Sequence, residues 1–419
     1  MFIWFPDVSP RMDVHEILVT IKPTKKEEQQ LKRVVQEVLA KINIPNTKPM
    51  LGGSGAKQTW LKHTHDVDIY VKFNLPVYKE KSSVLADILE KGLKKKFSTI
   101  KRLHGSRDYF QIEYRGYMFE IVPILNIQRP EQAQNTTDFS HLHVQYVLKH
   151  VKKRKSLTDE IRLVKQFAKA NHVYGAESYI RGFSGYVLEL LTLHYGSCMR
   201  LLQAAATWKK ETIIGSSAKA KKLNPSKLSP LIVMDPVQPD RNAAAALSEE
   251  KFYDFIMTAR AFLKHKSLSF FKMKHINVHH LKKLGKLIHF EIKTSSGNKD
   301  IIGTRLLKVF TFIKEEIRRH DFTLIASAWA FEHEQKRAMF YYVVNPHLLP
   351  PTKTYVGPPL TKKQAVEGFK RAHADVHVKN GLICAREKRN YREIEFLIQF
   401  LIKSEFVTER VKKIEFLKN

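Results

Sequence analysis

Two aspartates set two residues apart, Asp66 and Asp68 in the run His-Asp-Val-Asp-Ile-Tyr-Val-Lys-Phe, have the spacing in this 419-residue chain that best suits chemistry. On a strand, that spacing turns both carboxylates to one face while Val67 and Ile69 turn to the core. Two acids so placed repel one another unless a cation lies between them. Magnesium fits, because it takes hard oxygen ligands and is usually shared between a few carboxylates and a substrate's phosphates. Just upstream, Gly52 and Gly53 allow close backbone approach, Ser54 offers a hydroxyl and an amide at a helix start, and Lys57 adds a cation one turn on. Such a turn is a seat for a triphosphate. A third acid, Glu120, alternates with Phe119 and Ile121 in Tyr-Met-Phe-Glu-Ile-Val-Pro, as on a neighbouring half-buried strand. Three acids on adjacent strands could hold two ions about 3.5–4 Å apart, one activating an attacking oxygen and the other steadying a leaving phosphate.

Placing these groups requires a layered head. Helical spacing over 13–42 sets Leu31, Val34, Val35, Val38 and Leu39 in one stripe, and a turn through Pro45 leads to the Gly52 turn and the acid-bearing strand. A helix over 82–93 is predicted with Ser82 or Ser83 as its cap, then strands over 109–114 and 117–125 about an Arg115-Gly116 turn. These make a mixed head over 1–136, followed by a polar linker at 128–137 and a helical region over 137–256. There the cluster Lys152-Lys153-Arg154-Lys155 precedes a helix whose Arg162, Lys165 and Lys169 share one face, which is expected to meet phosphates. A glycine-rich turn after Tyr174 leads to a helix capped by Ser184, and a lysine-bearing loop at 215–230 leads to an alanine-rich helix at 243–247. The remainder, 257–419, mixes a helix at 253–263, strands at 287–293, 323–330 and 340–344, a helix capped by Thr361, a hairpin at 378–383 and a closing helix at 393–403. The expected fold class is α+β, multidomain.

Composition narrows the partners. Seventy-two lysines and arginines against 41 acids give a formal charge of +31, which calls for a polyanion, nucleic acid first. Lys264, Lys266, Lys272, Lys274, Lys282, Lys283 and Lys286 lie among Phe270 and Phe271, a basic stretch interleaved with aromatics that suits an RNA backbone. No apolar run approaches the roughly 20 residues that span a bilayer, so no membrane partner is expected. Cys198 and Cys384 are too few for a disulfide framework or a zinc quartet, and a reducing cytoplasm is the simplest compartment. Zinc at His275, His279 and His280 is not expected, for want of a nearby cysteine. Residues 1–10 lack a basic run and read as no signal peptide, with Met12 an alternative start.

The glycine-serine turn, the paired acids and the third acid together resemble the polymerase-β-like nucleotidyltransferase superfamily. Arg-Gly-Phe-Ser-Gly-Tyr-Val-Leu-Glu-Leu-Leu at 181–191, His-Tyr-Gly at 194–196 and Asp-Pro-Val-x-Pro-x-Arg-Asn-x-Ala-Ala-Ala at 235–246 narrow the likeness to the archaeal, class I CCA-adding enzymes. The resemblance implies metal binding by Asp66, Asp68 and Glu120, although the third member is commonly aspartate in that family. It implies triphosphate contacts from Ser54 and Lys57, the latter often arginine. Ser140, often threonine there, with His143, Lys165 and Tyr174 would hold the nucleotide's phosphates and sugar. Arg241 would read the base, and a planar guanidinium with its five donors can satisfy cytosine, and adenine differently, without a template.

The expected function is therefore addition of C, C and A to a tRNA 3′ end from CTP and ATP, with two Mg2+ ions and release of pyrophosphate. The tRNA would be clasped by its acceptor and TΨC arms, with no anticodon reading, by a monomer or a homodimer. The competing readings are an enzyme of the same fold with another acceptor, such as a poly(A) polymerase or a small-molecule nucleotidyltransferase, and a catalytically silent RNA-binding relative. An intact acid triad argues against the second, and the Arg241 motif with the basic C-terminal half argues against a small acceptor.

Overall fold

The computed structural model describes residues 14–62, 64, 66–274 and 276–417. Met12 and His275 lie outside them. The chain divides into two compact units, one running up to Lys274 and the other following it.

The first unit opens with helices α1 (Val14–Ile21) and α2 (Lys25–Lys41). The single expected stripe is broken at Pro23, and Thr24 restarts it with a reciprocal cap: Glu27 N donates to Thr24 Oγ1 at 3.2 Å while Thr24 N donates to Glu27 Oε2 at 2.7 Å. Next come β1 (Thr47–Leu51), the short α3 (Gly53–Lys57), β2 (Asp66–Phe73), α4 (Leu75–Tyr78), α5 (Leu85–Lys94), β3 (Lys101–Leu103), β4 (Tyr109–Tyr114) and β5 (Tyr117–Leu125). The five strands form one sheet in the order β1-β2-β5-β4-β3, with β2 and β5 parallel and the other neighbours antiparallel. Val67, Ile69, Val71 and Phe73 of β2 join Phe119 and Ile121 of β5 in a core completed by Val34 and Val38 of α2 and Leu85 and Leu89 of α5. The alternate residues of β2, Asp68 among them, are left half-buried on the opposite face.

Serine does not cap α5. A tight 3-10 turn over Lys79–Val84 takes up Ser82 and Ser83, and the α-helix starts at Leu85. The expected polar linker is instead pinned. Buried Asp138 accepts Leu125 N at 2.8 Å and both Gln134 N and Asn135 N at 3.0 Å, and it pairs with Arg107 Nη1 at 2.5 Å.

The helical layer comprises α6 (Ser140–Lys153), α7 (Leu157–Ala170), α8 (Gly185–Tyr195) and α9 (Cys198–Ala205). After it come β6 (Thr212–Ile214), α10 (Ser217–Ala220), β7 (Leu231–Val233) and α11 (Glu249–His265). Ser184 caps α8 as expected, accepting Val187 N at 3.2 Å. The alanine run at 243–247 is a turn, not a helix, because the Asn242 side chain accepts both Val233 N and Ala244 N at 2.9 Å and holds the chain in tight contact with β7. Helix α11 runs through the expected break at 256/257. Its Phe255 and Phe262 surround Phe167 of α7 together with Phe270 and Phe271, at centroid distances of 5.5–6.5 Å, so the first unit continues past α11.

The second unit holds α12 (Val278–Leu284), β8 (Lys286–Lys293), α13 (Lys299–Arg319), β9 (Leu324–Glu332), β10 (Arg337–Val344), β11 (Thr352–Pro359), α14 (Lys363–Ala372), β12 (Val376–Lys379), β13 (Leu382–Lys388), α15 (Ile394–Leu401), α16 (Glu405–Thr408) and β14 (Lys413–Phe416). An antiparallel sheet in the order β14-β8-β10-β9 packs Ile288, Phe290, Phe340 and Tyr342 against Leu306, Val309 and Ile313 of α13 and Leu397 of α15. A second sheet, β11-β13-β12, contains the expected hairpin, its Asn380-Gly381 turn at φ +52 and +75°. Lys362, rather than Thr361, sits at the cap position of α14. Among the described residues no helix is long and apolar enough to cross a membrane.

Asp138 is the buried acceptor on which the head's last connection closes, so Asp138→Ala leaves the Arg107 guanidinium buried without its carboxylate and strips three backbone donors of their acceptor. It should cost about 3–5 kcal/mol of unfolding free energy, read by urea denaturation against wild type.

Candidate active site

The parallel pairing of β2 with β5 sets Asp68 directly opposite Glu120 and Asp66 opposite Met118. All three acids thus occupy two adjacent strands, Asp66 exposed at the strand start and the other two half-buried. Glu120 Oε1 accepts Gln111 Nε2 at 2.9 Å. Among the described residues no three histidine, cysteine or acidic side chains already converge as a metal cluster. The donor chemistry nevertheless suits a divalent cation. Burial pushes the Asp68 carboxyl up, and Asp66 and Glu189 add to this against the opposing pull of Lys57 and Lys165. A cation beside Asp66 and Asp68 would relieve that repulsion.

The turn before the acids explains its glycines. A Cβ on Gly53, which sits at φ +49°, would lie 1.6 Å from Asp68 Oδ2, and one on Gly52 would lie 2.7 Å from the Tyr70 ring. The backbone therefore rests directly on the carboxylate, with Gly52 N donating to Asp68 O at 2.8 Å and Gly53 N to Tyr70 Oη at 3.3 Å. Ser140, at the start of α6, hydrogen-bonds the same Tyr70 hydroxyl. Ser54 is the second residue of α3, half-buried, and its carbonyl accepts Thr59 N at 3.0 Å.

Lys57 and Lys165 are brought together, and both are buried at 7% and 4% exposure. The group between them is Glu189, 1% exposed, which sequence reasoning missed. Its Oε2 pairs with Lys57 Nζ at 2.6 Å, and its Oε1 with Lys165 Nζ at 2.7 Å and with the Thr59 hydroxyl at 2.8 Å. Burial alone would raise the Glu189 carboxyl, but the Lys165 and Lys57 ammoniums outweigh it and pull it from 4.5 down to about 2. A signal for Glu189 was present: like Glu120, it is a lone acid inside an apolar run, Val-Leu-Glu-Leu-Leu. The charged face of α7 is accordingly turned inward. Arg162 donates to Trp60 O at 3.0 Å and Gln58 O at 2.7 Å and pairs with Asp159 at 2.6 Å, so it is spent on the protein's own groups. Only Lys169 remains partly exposed, over the Tyr174 ring at 5.1 Å. Tyr174 in turn stands beside Lys165 at the start of α8, where a Cβ on Gly185 would meet Tyr174 Oη at 3.0 Å and Lys165 Cε at 3.7 Å.

A second buried carboxylate, Asp235, 2% exposed, gathers the remaining residues. Its Oδ2 lies 3.1 Å from His143 Nε2 and 3.0 Å from Arg241 Nη1, and its Oδ1 accepts Tyr186 Oη at 3.3 Å. Burial would raise this carboxyl too, yet His143, the Val237 amide and Arg241 hold it below the usual range. Tyr186 joins the two hubs: its ring centroid is 6.0 Å from Lys57 Nζ and 4.4 Å from the His143 ring. A contiguous array of charge thus runs from the paired acids, through the lysines on Glu189, to the guanidinium on Asp235. Its chemistry is that of a site for a charged, elongated ligand with phosphates at one end and a hydrogen-bonding plane at the other.

Residues 159–272 match the family model for the second domain of tRNA nucleotidyltransferase, and residues 286–413 match that for the C-terminal domain of the CCA-adding enzyme. The chain is 32% identical to the CCA-adding enzyme of Methanocaldococcus jannaschii over 92% of its own length and 89% of the relative's. It is 30% identical to the CCA-adding enzyme of Methanococcus maripaludis over 94% and 91%, and 31% identical to that of Sulfolobus acidocaldarius over 79% and 80%. The chain belongs to the CCA-adding enzyme family.

Two outcomes follow from the packing. Gly53→Ala forces a Cβ into Asp68 and should lower nucleotide transfer by about 100-fold, a cost typical of an ångström-scale misplacement, and the left-handed backbone there adds about 1–2 kcal/mol of destabilisation, read by thermal unfolding. Glu189→Gln should destabilise the protein at neutral pH. Because the folded carboxyl lies below its ordinary value, its contribution is whole above 4.5 and fades as pH falls toward about 2, so the stability gap between wild type and variant should narrow over that range in pH-dependent unfolding.

Proposed function

We propose that this protein adds C, C and A to the 3′ end of tRNA from CTP and ATP, releasing pyrophosphate. The observation that carries the reading is the β2–β5 register, which sets Asp68 beside Glu120 on the face where Gly53 packs against the Asp68 carboxylate. Asp66 and Asp68, with Glu120 turned from Gln111, would hold Mg2+. When bound, the metal supplies charge neutralisation at the phosphates and a lowered pKa for the attacking hydroxyl.

The chain's own residues do the positioning. Lys57 and Lys165, fixed on Glu189, face the triphosphate with two ammoniums at set places, supported by Ser54 and by Ser140 on Tyr70. Tyr174 and His143 bracket the sugar and phosphates. Arg241, held at Asp235 with 41% of its side chain exposed, presents its free donors to the base. Catalysis then rests on orientation and electrostatics rather than on a covalent intermediate, since phosphoryl transfer needs little covalent help from protein. The head over 1–136 carries the acids, the helical neck from 137 carries nucleotide recognition, and the C-terminal unit contributes tRNA contacts to the acceptor and TΨC arms. The +31 charge supports a polyanionic acceptor, and the two free, buried cysteines suit a reducing cytoplasm.

The test is extension of tRNAs lacking one, two or three terminal nucleotides with labelled CTP and ATP in the presence of magnesium. Wild type should complete CCA and stop, and Asp68→Ala should lose about 100-fold or more of the rate. Extension by Asp68→Ala at the wild-type rate would refute the acid assignment; an untemplated A-tail would favour the poly(A) polymerase-like reading.

A further inference from the structure

Arg241 and His143 come from distant parts of the first unit, a turn after β7 and the second turn of α6, yet they face the same oxygen. Asp235 Oδ2 lies 3.0 Å from Arg241 Nη1 and 3.1 Å from His143 Nε2. The carboxylate is fixed from its other side. Oδ1 accepts Val237 N at 2.8 Å, Gln238 N at 3.2 Å and Tyr186 Oη at 3.3 Å, so the group cannot swing without breaking its own turn. Arg241 has one further tether, Gln238 Oε1 at 3.3 Å from Nη1. A guanidinium on a flexible stem reads a base only when its plane is held, because its hydrogen bonds are worth their full discrimination at fixed geometry.

We infer that Asp235 is a specificity-determining positioning residue: it sets the plane in which Arg241 meets the base and, through the same oxygen, couples that plane to the seating of the nucleotide by His143. This rests on the base-reading role proposed for Arg241. The coupling follows from sharing. His143 Nε2 and Arg241 Nη1 stand against one oxygen, so a His143 drawn toward a phosphate leaves more of the carboxylate for Arg241, and a correctly seated nucleotide is also the one whose base meets a firmly held guanidinium. Asp235 touches neither substrate nor metal in this scheme; it acts through the two side chains it holds.

The experiment measures kcat/KM for CTP and for ATP with the full-length protein on tRNA lacking all three terminal nucleotides, in wild type, Arg241→Ala, Asp235→Asn and the double variant. Arg241→Ala and Asp235→Asn should each lower the CTP:ATP ratio by about tenfold or more, the scale of one good planar contact, and the double variant should fall no further than Arg241→Ala alone. If Arg241→Ala lowers the ratio while Asp235→Asn reduces both rates in proportion, Asp235 is structural support and the inference is overturned. If Arg241→Ala leaves the ratio unchanged, the base-reading role itself is overturned. Should Asp235→Asn fail to fold, Tyr186→Phe decides the matter: it frees one bond on Oδ1, and a smaller fall in the ratio supports the inference, whereas an unchanged ratio overturns it.

Discussion

A carboxylate sealed inside the first unit with an ammonium on each oxygen is the constraint on which the rest of this site depends. Glu189 reaches Lys57 from the short helix beside the paired acids, Thr59 from the loop beyond it, and Lys165 from α7. Ions out of water are stable only when paired and fully hydrogen-bonded, and both Glu189 oxygens are used. Such a triad adds little to stability compared with well-packed apolar residues, but it tolerates almost no displacement. Its effect is to fix where two positive charges stand relative to Asp68.

Charge alternates along the whole array. Acids at the strand face, ammoniums on Glu189, a tyrosine ring, then a histidine and a guanidinium on Asp235 follow one another without a break. Glu189 sits between two ammoniums and Asp235 between a guanidinium and an imidazole, so these groups are oriented before any ligand arrives. This is the arrangement electrostatic catalysis requires, since groups already oriented need no reorganisation when charge develops. The glycines serve the same end: at Gly53 there is no room for a methyl group between backbone and carboxylate.

The C-terminal unit follows another logic. Its four-stranded sheet and long helix form an apolar core, from Phe290 and Tyr342 to Val309 and Ile313. Among the described residues, the lysines and arginines of this unit lie outside its core, where they remain hydrated.

Short-range pattern determined much of this protein. Alternation around Asp66 and Asp68 fixed their common face, the turn glycines marked the close approach, Asn380-Gly381 marked a hairpin, and Ser184 marked a helix start. These signals are local, set by a period of two or by the φ angle of one residue, and a chain carries them wherever it folds. Where local chemistry had competitors it misled: the alanines after Asn242 form a turn because that asparagine bonds back to β7, and Ser82 and Ser83 are taken up in a tighter turn. The charged face of α7 was legible as a stripe, but its direction was not, because a stripe of arginine and lysine turns inward only if carboxylates and carbonyls remote in sequence await it. Tertiary structure alone decided that Lys57 and Lys165 share Glu189 and that His143 and Arg241 share Asp235. The physical reason is that burying a charge is favourable only against a specific partner, and no local pattern brings Lys57 to Glu189, 132 positions on, or His143 to Asp235, 92 positions on.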